Sequence, residues 1–309
     1  MVQNYTFLEA YQEFIVDKRA IGLAEKTLES YIHVFRAVNR WIPEDTKLAD
    51  MDQSYMKRRV GEMAAAGLSR NTVKSYTATL KSFFSWCREN GLSDTEIALF
   101  KGEETVPETY SQEELKALLK RPNLRSCTFS EYRNWVIINL LVNNGIRAAT
   151  VRAIQIRDVV LDNSVILLRH TKRRKAQTIP LSDTLVRILA HYMHVRKGKP
   201  VDYLFPDVNG NQMSENCLRL AIARYNKAHG VDKTSIHLFR HTFARMYLVN
   251  CGGDALKLQK LLGHSTLKMT QHYVQLFDAD LVADFKDHSP LDTLQTTRIR
   301  MPDNKKRTK

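Results

Sequence analysis

From about residue 5 to residue 90, apolar side chains recur at three- and four-residue spacing, the period of a helix with one buried face. Phe7, Tyr11, Phe14 and Ile15 line one such face, and Leu28, Tyr31, Ile32, Phe35 and Val38 line a second, ended before Pro43. Asp52 is placed to cap a third helix running to Ala66, where Gly67 stops it. Ser69 is placed to cap a fourth, with Val73, Tyr76, Leu80, Phe83, Phe84 and Cys87 on its inner side and Gly91 at its end. Four short helices with short connections predict a small bundle.

The pattern then breaks. The stretch GEETVPETYSQ from Gly102 is polar, acidic and interrupted by Pro107, as a linker would be. Ser111 followed by Glu114 forms a capping-box signature, so a new domain begins there. Trp135 to Val142 predicts an apolar helix. Val159 to Leu161, Val165 to Leu168 and Thr178 to Pro180 predict short strands, the last two a hairpin around HTKRRKAQ. Further helices are predicted from Ser182 to about Lys197, Ser214 to about His229, His237 to about Val249, Asp254 to Leu262, and Ser265 to about Tyr273. The fold class expected is mainly α with a small antiparallel sheet. Residues 1–100 form a helical domain, 101–110 a linker, 111–292 an α+β domain and 293–309 a basic tail.

Charge sharpens this picture. Lys and Arg outnumber Asp and Glu 47 to 33, a net charge of +14, and such an excess attracts polyanions, of which nucleic acid is the commonest soluble one. A basic chain with no such partner is the plain alternative. An acidic membrane surface would need an amphipathic basic helix or a lipid anchor, and neither is visible. No apolar run approaches the roughly 18 residues of a membrane span. The opening MVQNYTFLEAYQEF does not read as a signal peptide. Cys87, Cys127, Cys217 and Cys251 are scattered without a CxxC pair, as free thiols of a reducing compartment would be. A cytoplasmic protein is expected.

The reactive side chains fall in three segments: NNGIRAATVRAI around Arg147, HLFRHTF around Arg240, and LLGHSTLKMTQHY around His264. Arg suits the non-bridging oxygens of a phosphate, because its planar fork donates two parallel hydrogen bonds and stays charged. Each segment alone also has an ordinary reading. Arg147 could be a surface arginine, His264 a helix-cap residue and Tyr273 a core residue. His237 and His241 lie four apart, as metal ligands on a helix can, but no Glu follows His237 and no cysteines cluster nearby, so no metal is expected.

Taken in order, the set is Arg147, Lys172 in the hairpin turn, His237 with Arg240 and His241, His264 after Gly263, and Tyr273. This order resembles the tyrosine recombinase/integrase family, including its bacterial Xer type. RHTKRRKAQTIPL is similar to that family's hairpin and KLLGHSTLKMTQHYV to its final motif. The resemblance implies a SAM-like core-binding bundle followed by a catalytic domain. It implies that Tyr273 attacks the scissile phosphate to give a 3′-phosphotyrosyl enzyme, with His237 as base or proton relay. Lys172 would serve as acid for the leaving 5′-oxygen, Lys175 being next in line, and Arg147, Arg240 and His264 would hold the phosphate oxygens. It further implies double-stranded recombination sites as partner, a homotetramer passing through a Holliday junction, and no cofactor, metal or ATP. A helix around Asp278 to Asp287, striped by Leu281, Val282 and Phe285, would dock on a neighbouring subunit or on its own domain.

Candidate DNA contacts are Lys26, Lys57, Arg58, Arg59, Arg70, Lys74 and Lys81 in the first domain, and Arg173, Arg174, Lys175 and His241 in the second, the two domains closing as a clamp; the lysines and arginines among them also read as solvated faces. The family carries an acid three residues after its first Arg, where this chain has Thr150; Asp158 is the nearest acid able to substitute. That departure tilts the reading toward a mobile element. A non-catalytic DNA-binding protein on the same scaffold and a type IB topoisomerase are the competing readings.

Overall fold

The computed structural model describes residues 5–103, 107–168, 177–251, 253–263, 266, 270 and 273. The chain divides into two compact units, Met1–Thr105 and Val106–Lys309.

The first unit is built from α1 (Phe7–Ala20), α2 (Glu25–Val38), α3 (Gln53–Ala65) and α4 (Arg70–Glu89), with one 3-10 turn at Leu48–Asp50. The sequence signals act locally as expected. Asp52 and Ser69 side chains accept from the Tyr55 and Thr72 amides and start α3 and α4, which removes unpaired donors from each first turn. Thr6 and Glu9 make a reciprocal capping box that starts α1. The inner faces meet in an aromatic core. Phe83 lies 5.4 Å from Phe7, 5.3 Å from Tyr11 and 5.6 Å from Phe14, and Tyr11 stacks on Phe35 at 4.2 Å. Trp86 closes the edge by donating its indole N–H to Asp17 at 2.7 Å. Leu28, Phe35 and Val38 are buried as expected, whereas Tyr31 and Ile32 are only half-buried.

The second unit packs helices around α6. It comprises α5 (Gln112–Leu119), α6 (Phe129–Asn144), α7 (Ala148–Ala153), strands β1 (Val159–Val160), β2 (Val165–Leu168) and β3 (Gln177–Pro180), then α8 (Asp183–Arg196), α9 (Glu215–Ala228), α10 (Ile236–Arg245) and α11 (Ala255–Leu262). The strands form an antiparallel sheet in the order β1-β2-β3, with Ile166 opposite both Val159 and Ile179. The Ser111–Glu114 capping box is present at α5.

Three features differ from the pattern reading. Helix α6 begins at Phe129, capped by Thr128, ahead of the expected Trp135. Its first turns carry two polar residues, Arg133 and Asn134. Both are buried, Arg133 donating to the Pro206 carbonyl at 2.6 Å and to the Asn134 amide oxygen at 3.2 Å. Helix α7 is too short to show a period. Beyond Arg245, α10 continues as a wider π turn over Met246–Asn250, closed by the Cys251 N–H on the Met246 carbonyl at 3.0 Å. A hydrophobic pattern of this length does not separate a five-residue step from a four-residue one.

The buried phenols give a stability prediction. Burial raises the pKa values of Tyr11, Tyr110, Tyr192 and Tyr225 above the usual 10 and pushes the Cys87 thiol up to about 12. A raised acid keeps its proton in the native state and loses it first when unfolded, so its stabilising contribution fades as pH climbs past the unfolded value. Melting temperature is therefore expected to fall above roughly pH 10. Phenolate absorbance should appear together with unfolding; phenolate formation in a still-folded protein would contradict the burial.

Candidate active site

Helix α10 is the spine of the site. Its core face carries Phe239, Arg240 and Phe243, all buried, and its open face carries His237. Tyr110 anchors the helix from the side: its ring stacks on Phe239 at 4.3 Å and its amide donates to the Thr242 hydroxyl at 2.9 Å. Arg240 is 4% exposed. Its guanidinium donates to the Gly145 carbonyl at 2.9 Å and to the Leu262 carbonyl at 3.0 Å, so one side chain ties the ends of α6 and α11 to α10.

Tyr273 sits on this assembly, 6% exposed, in an apolar seat made by Phe243, Ala244, Leu258 and Leu262. Its phenol oxygen accepts a hydrogen bond from Arg240. Burial pushes the phenol above its usual 10, while the charge and hydrogen bond of Arg240, and the charge of Arg147, pull the other way. Burial also pulls the Arg240 guanidinium down to about 10, helped by the like charge of Arg147 and opposed by Tyr273. Arg240 thus stays cationic at neutral pH. A buried cation that keeps its charge at neutral pH suits the binding of an anion.

Arg147 directly precedes α7 and is exposed. It reaches the same helix end as Arg240, donating to the Leu262 carbonyl at 3.4 Å and the Gly263 carbonyl at 3.5 Å. The structure thus brings Arg147, Arg240 and Tyr273 together although 126 residues separate the first from the last. His237 and His241 lie on one side of α10, ring centroids 6.4 Å apart, and it is His241 whose ring meets that of Tyr273, at 5.6 Å. The Asp158 carboxylate accepts from the Gln155 amide in its own turn at 2.9 Å. Lys172, Arg173, Arg174, Lys175 and His264, like the segment Asp278 to Asp287 and the basic tail, lie outside the described residues.

In the first unit, Lys26, Lys57, Arg58, Arg70 and Lys74 are exposed, and Arg59 and Lys81 are half-buried. Arg59 is held by Glu62 at 2.8 Å and lies over the Tyr55 ring. Arg70 lies over Phe100, 3.7 Å from Glu103. A hollow of about 610 Å³ in this unit is lined by Glu9, Glu13 and Asp17, which suits no polyanion. Among the described residues no group of three or more His, Cys, Asp or Glu is arranged to hold a metal, and no helix is long and apolar enough to cross a membrane.

Sequence reasoning missed the acceptors. The carbonyls of Gly145, Leu262 and Gly263 organise both arginines, and a backbone oxygen leaves no mark in the choice of side chain. The available signal is the two glycines, which stand at the ends of α6 and α11. Gly145 ends α6 with φ +56, and a Cβ there would stand 2.6 Å from the Phe243 ring. Gly145→Ala is expected to cost about 1–3 kcal/mol, from the left-handed backbone and the clash together. Urea unfolding would read it, and a change under about 0.5 kcal/mol would show that the α6–α10 junction tolerates displacement.

Comparison with known proteins identifies the family. Residues 108–280 match the model of the phage integrase family, and residues 8–91 match the phage integrase N-terminal SAM-like domain. The tyrosine recombinase XerD of Staphylococcus haemolyticus is 28% identical over 284 residues, covering 88% of this chain and 94% of that protein. XerC of Corynebacterium glutamicum is 28% identical over 242 residues, covering 76% and 77%. Among solved structures, the Tn1549 transposon integrase in complex with a circular intermediate DNA aligns with a TM-score of 0.69 at 21% identity, covering 87% of this chain and 94% of that one. A lambda integrase tetramer bound to a Holliday junction aligns at 0.70 and 18% identity, covering 88% and 78%. These two likenesses establish the fold. With a family model spanning more than half its length, this chain belongs to the phage integrase family of tyrosine recombinases.

Proposed function

We infer that the protein is a site-specific DNA recombinase that breaks and rejoins strands through a covalent bond to Tyr273. The observation that carries this reading is the hydrogen bond from the buried Arg240 to the Tyr273 phenol, with Arg147 held at the same helix end. A nucleophile and two cations converge where one phosphate could touch all three.

The chemistry follows from the residue types. The Tyr273 oxygen forms a bond to the scissile phosphorus as the bond to the 5′-oxygen breaks, leaving a 3′-phosphotyrosyl ester and a free 5′-hydroxyl. The phenol proton passes to an imidazole. His237 is the exposed candidate for this, and His241 is the one in ring contact with the phenol. Lys172 returns a proton to the leaving oxygen. Arg147, Arg240 and His264 neutralise the non-bridging oxygens as charge builds, and each such preorganised donor contributes on the order of 10²–10³ in rate. One phosphoester replaces another, so a second 5′-hydroxyl can reverse the step on a new partner with no ATP consumed. Four copies acting on two duplex sites would exchange strands through a Holliday junction. The exposed basic residues of the first unit supply backbone contacts that fix the register on DNA. Domains at 1–100 and 111–292, joined by residues 101–110, complete the proposal.

The test is a duplex nicked beside the cut site, which loses its 5′-hydroxyl fragment and traps the intermediate. A protein–DNA adduct that survives denaturation and EDTA, with the modified peptide mapping to Tyr273, is expected. An adduct on another residue, or a strict divalent-metal requirement, would overturn the reading.

A further inference from the structure

Arg147 and Arg240 pose an electrostatic problem. Two guanidinium groups aimed at one phosphate must stand close before it arrives, and the charge of Arg147 already disfavours that of Arg240. Among the described residues the Leu262 carbonyl accepts from both, at 3.0 Å from Arg240 and 3.4 Å from Arg147, and the Gly145 and Gly263 carbonyls take one more each.

Leu262 is the last residue of α11, and Gly263 follows in the left-handed conformation at φ 62, ψ 43, its N–H turned back onto the Lys260 and Gln259 carbonyls. The last carbonyls of a helix have no partner within it, and they carry the negative end of its dipole, worth about half an electronic charge. Thr150, beside Arg147 at the start of α7, offers a hydroxyl and no charge.

Resting on the recombinase reading above, we propose that the C-terminus of α11 is the positioning element of the arginine pair. Its Leu262 carbonyl is the counter-charge that holds both guanidinium groups at the phosphate seat. A partial charge restrains them without cancelling them, so the pair keeps its attraction for an anion, which a carboxylate would have reduced. The lengths divide the labour. Arg240, buried and bonded at 2.9 and 3.0 Å, is the fixed member. Arg147, exposed and bonded at 3.4 and 3.5 Å, is the member free to swing onto the phosphate.

Gly263→Ala tests this, because a Cβ disfavours the left-handed turn that presents the carbonyl. Single-turnover adduct formation is expected to slow about tenfold or more, with duplex affinity within about threefold of the parent, since binding rests on many backbone contacts. Adding Thr150→Asp, which places a carboxylate beside Arg147, is expected to bring the rate to within about threefold of Thr150→Asp alone; damage to the neighbouring His264 would not respond to that carboxylate. Gly263→Ala cleaving within about threefold of the parent, or a loss untouched by Thr150→Asp, overturns the proposal. Should Gly263→Ala not fold, the same thresholds apply to a chain with glycolate at position 263, ligated at Cys251, in which Leu262 bears a weaker ester acceptor. A parent that forms no adduct overturns the recombinase reading and this proposal with it, whereas an active parent with an indifferent position 263 overturns this proposal alone.

Discussion

Tyr273→Phe leaves a protein that folds and binds DNA and forms no covalent adduct. The rate of strand cleavage is expected to drop by a factor of about 10⁴ or more, the scale seen when a covalent nucleophile is removed and only binding and electrostatics remain. The fold survives because the ring stays in the seat made by Phe243, Ala244, Leu258 and Leu262, and only the hydroxyl that accepts from Arg240 is lost. That loss is worth about 1 kcal/mol in stability. Gel-shift affinity for a duplex site should stay within about threefold. Two measurements decide the matter: denaturing electrophoresis for the adduct and a native gel for binding. A Phe variant that still becomes covalently attached removes Tyr273 from its role, and one that no longer binds shows that the phenol belongs to the DNA interface instead.

Arg240→Ala is expected to fail twice, in catalysis and in stability. Cleavage should slow by at least about 10²–10³, the cost of one preorganised donor at an oxyanion. The protein should also lose about 2–4 kcal/mol, because the Gly145 and Leu262 carbonyls lose the donor that joins α6 and α11 to α10 and a buried side chain leaves a void. Arg147→Ala separates the two effects. Its side chain is exposed and its hydrogen bonds are long, so the same loss of rate should come with a stability change under about 1 kcal/mol. Single-turnover cleavage on the nicked duplex and chemical unfolding of both variants give the comparison. Equal stability losses would mean that the fixed and mobile members of the pair are misassigned.

Much of the architecture was legible because its causes are local. Asp52, Ser69 and Ser111 each accept from a backbone amide three residues on, a geometry set within one turn of chain. The stripes of α1 and α4 follow from a 3.6-residue period and a single inner face. The hairpin of β2 and β3 could be read from two short apolar runs around a polar turn. The order of reactive side chains, from Arg147 to Tyr273, resembles that of the tyrosine recombinase/integrase family, and the family was legible through that resemblance.

Contacts between distant segments decided the remainder. The start of α6 escaped because Arg133 and Asn134 are polar yet buried, their hydrogen bonds going to the Pro206 and Ala221 carbonyls and between the two side chains. That the His241 ring meets the Tyr273 ring was not legible either, because which side of α10 faces the phenol is set by packing between residues distant in sequence. Nothing in the residues around Arg147 marks the Leu262 carbonyl as its partner, for every residue carries the same carbonyl and only packing determines which one lies within reach. Side-chain chemistry and helix periodicity are written along the chain. The pairing of a cation with a backbone oxygen 115 residues away is a property of the assembled core.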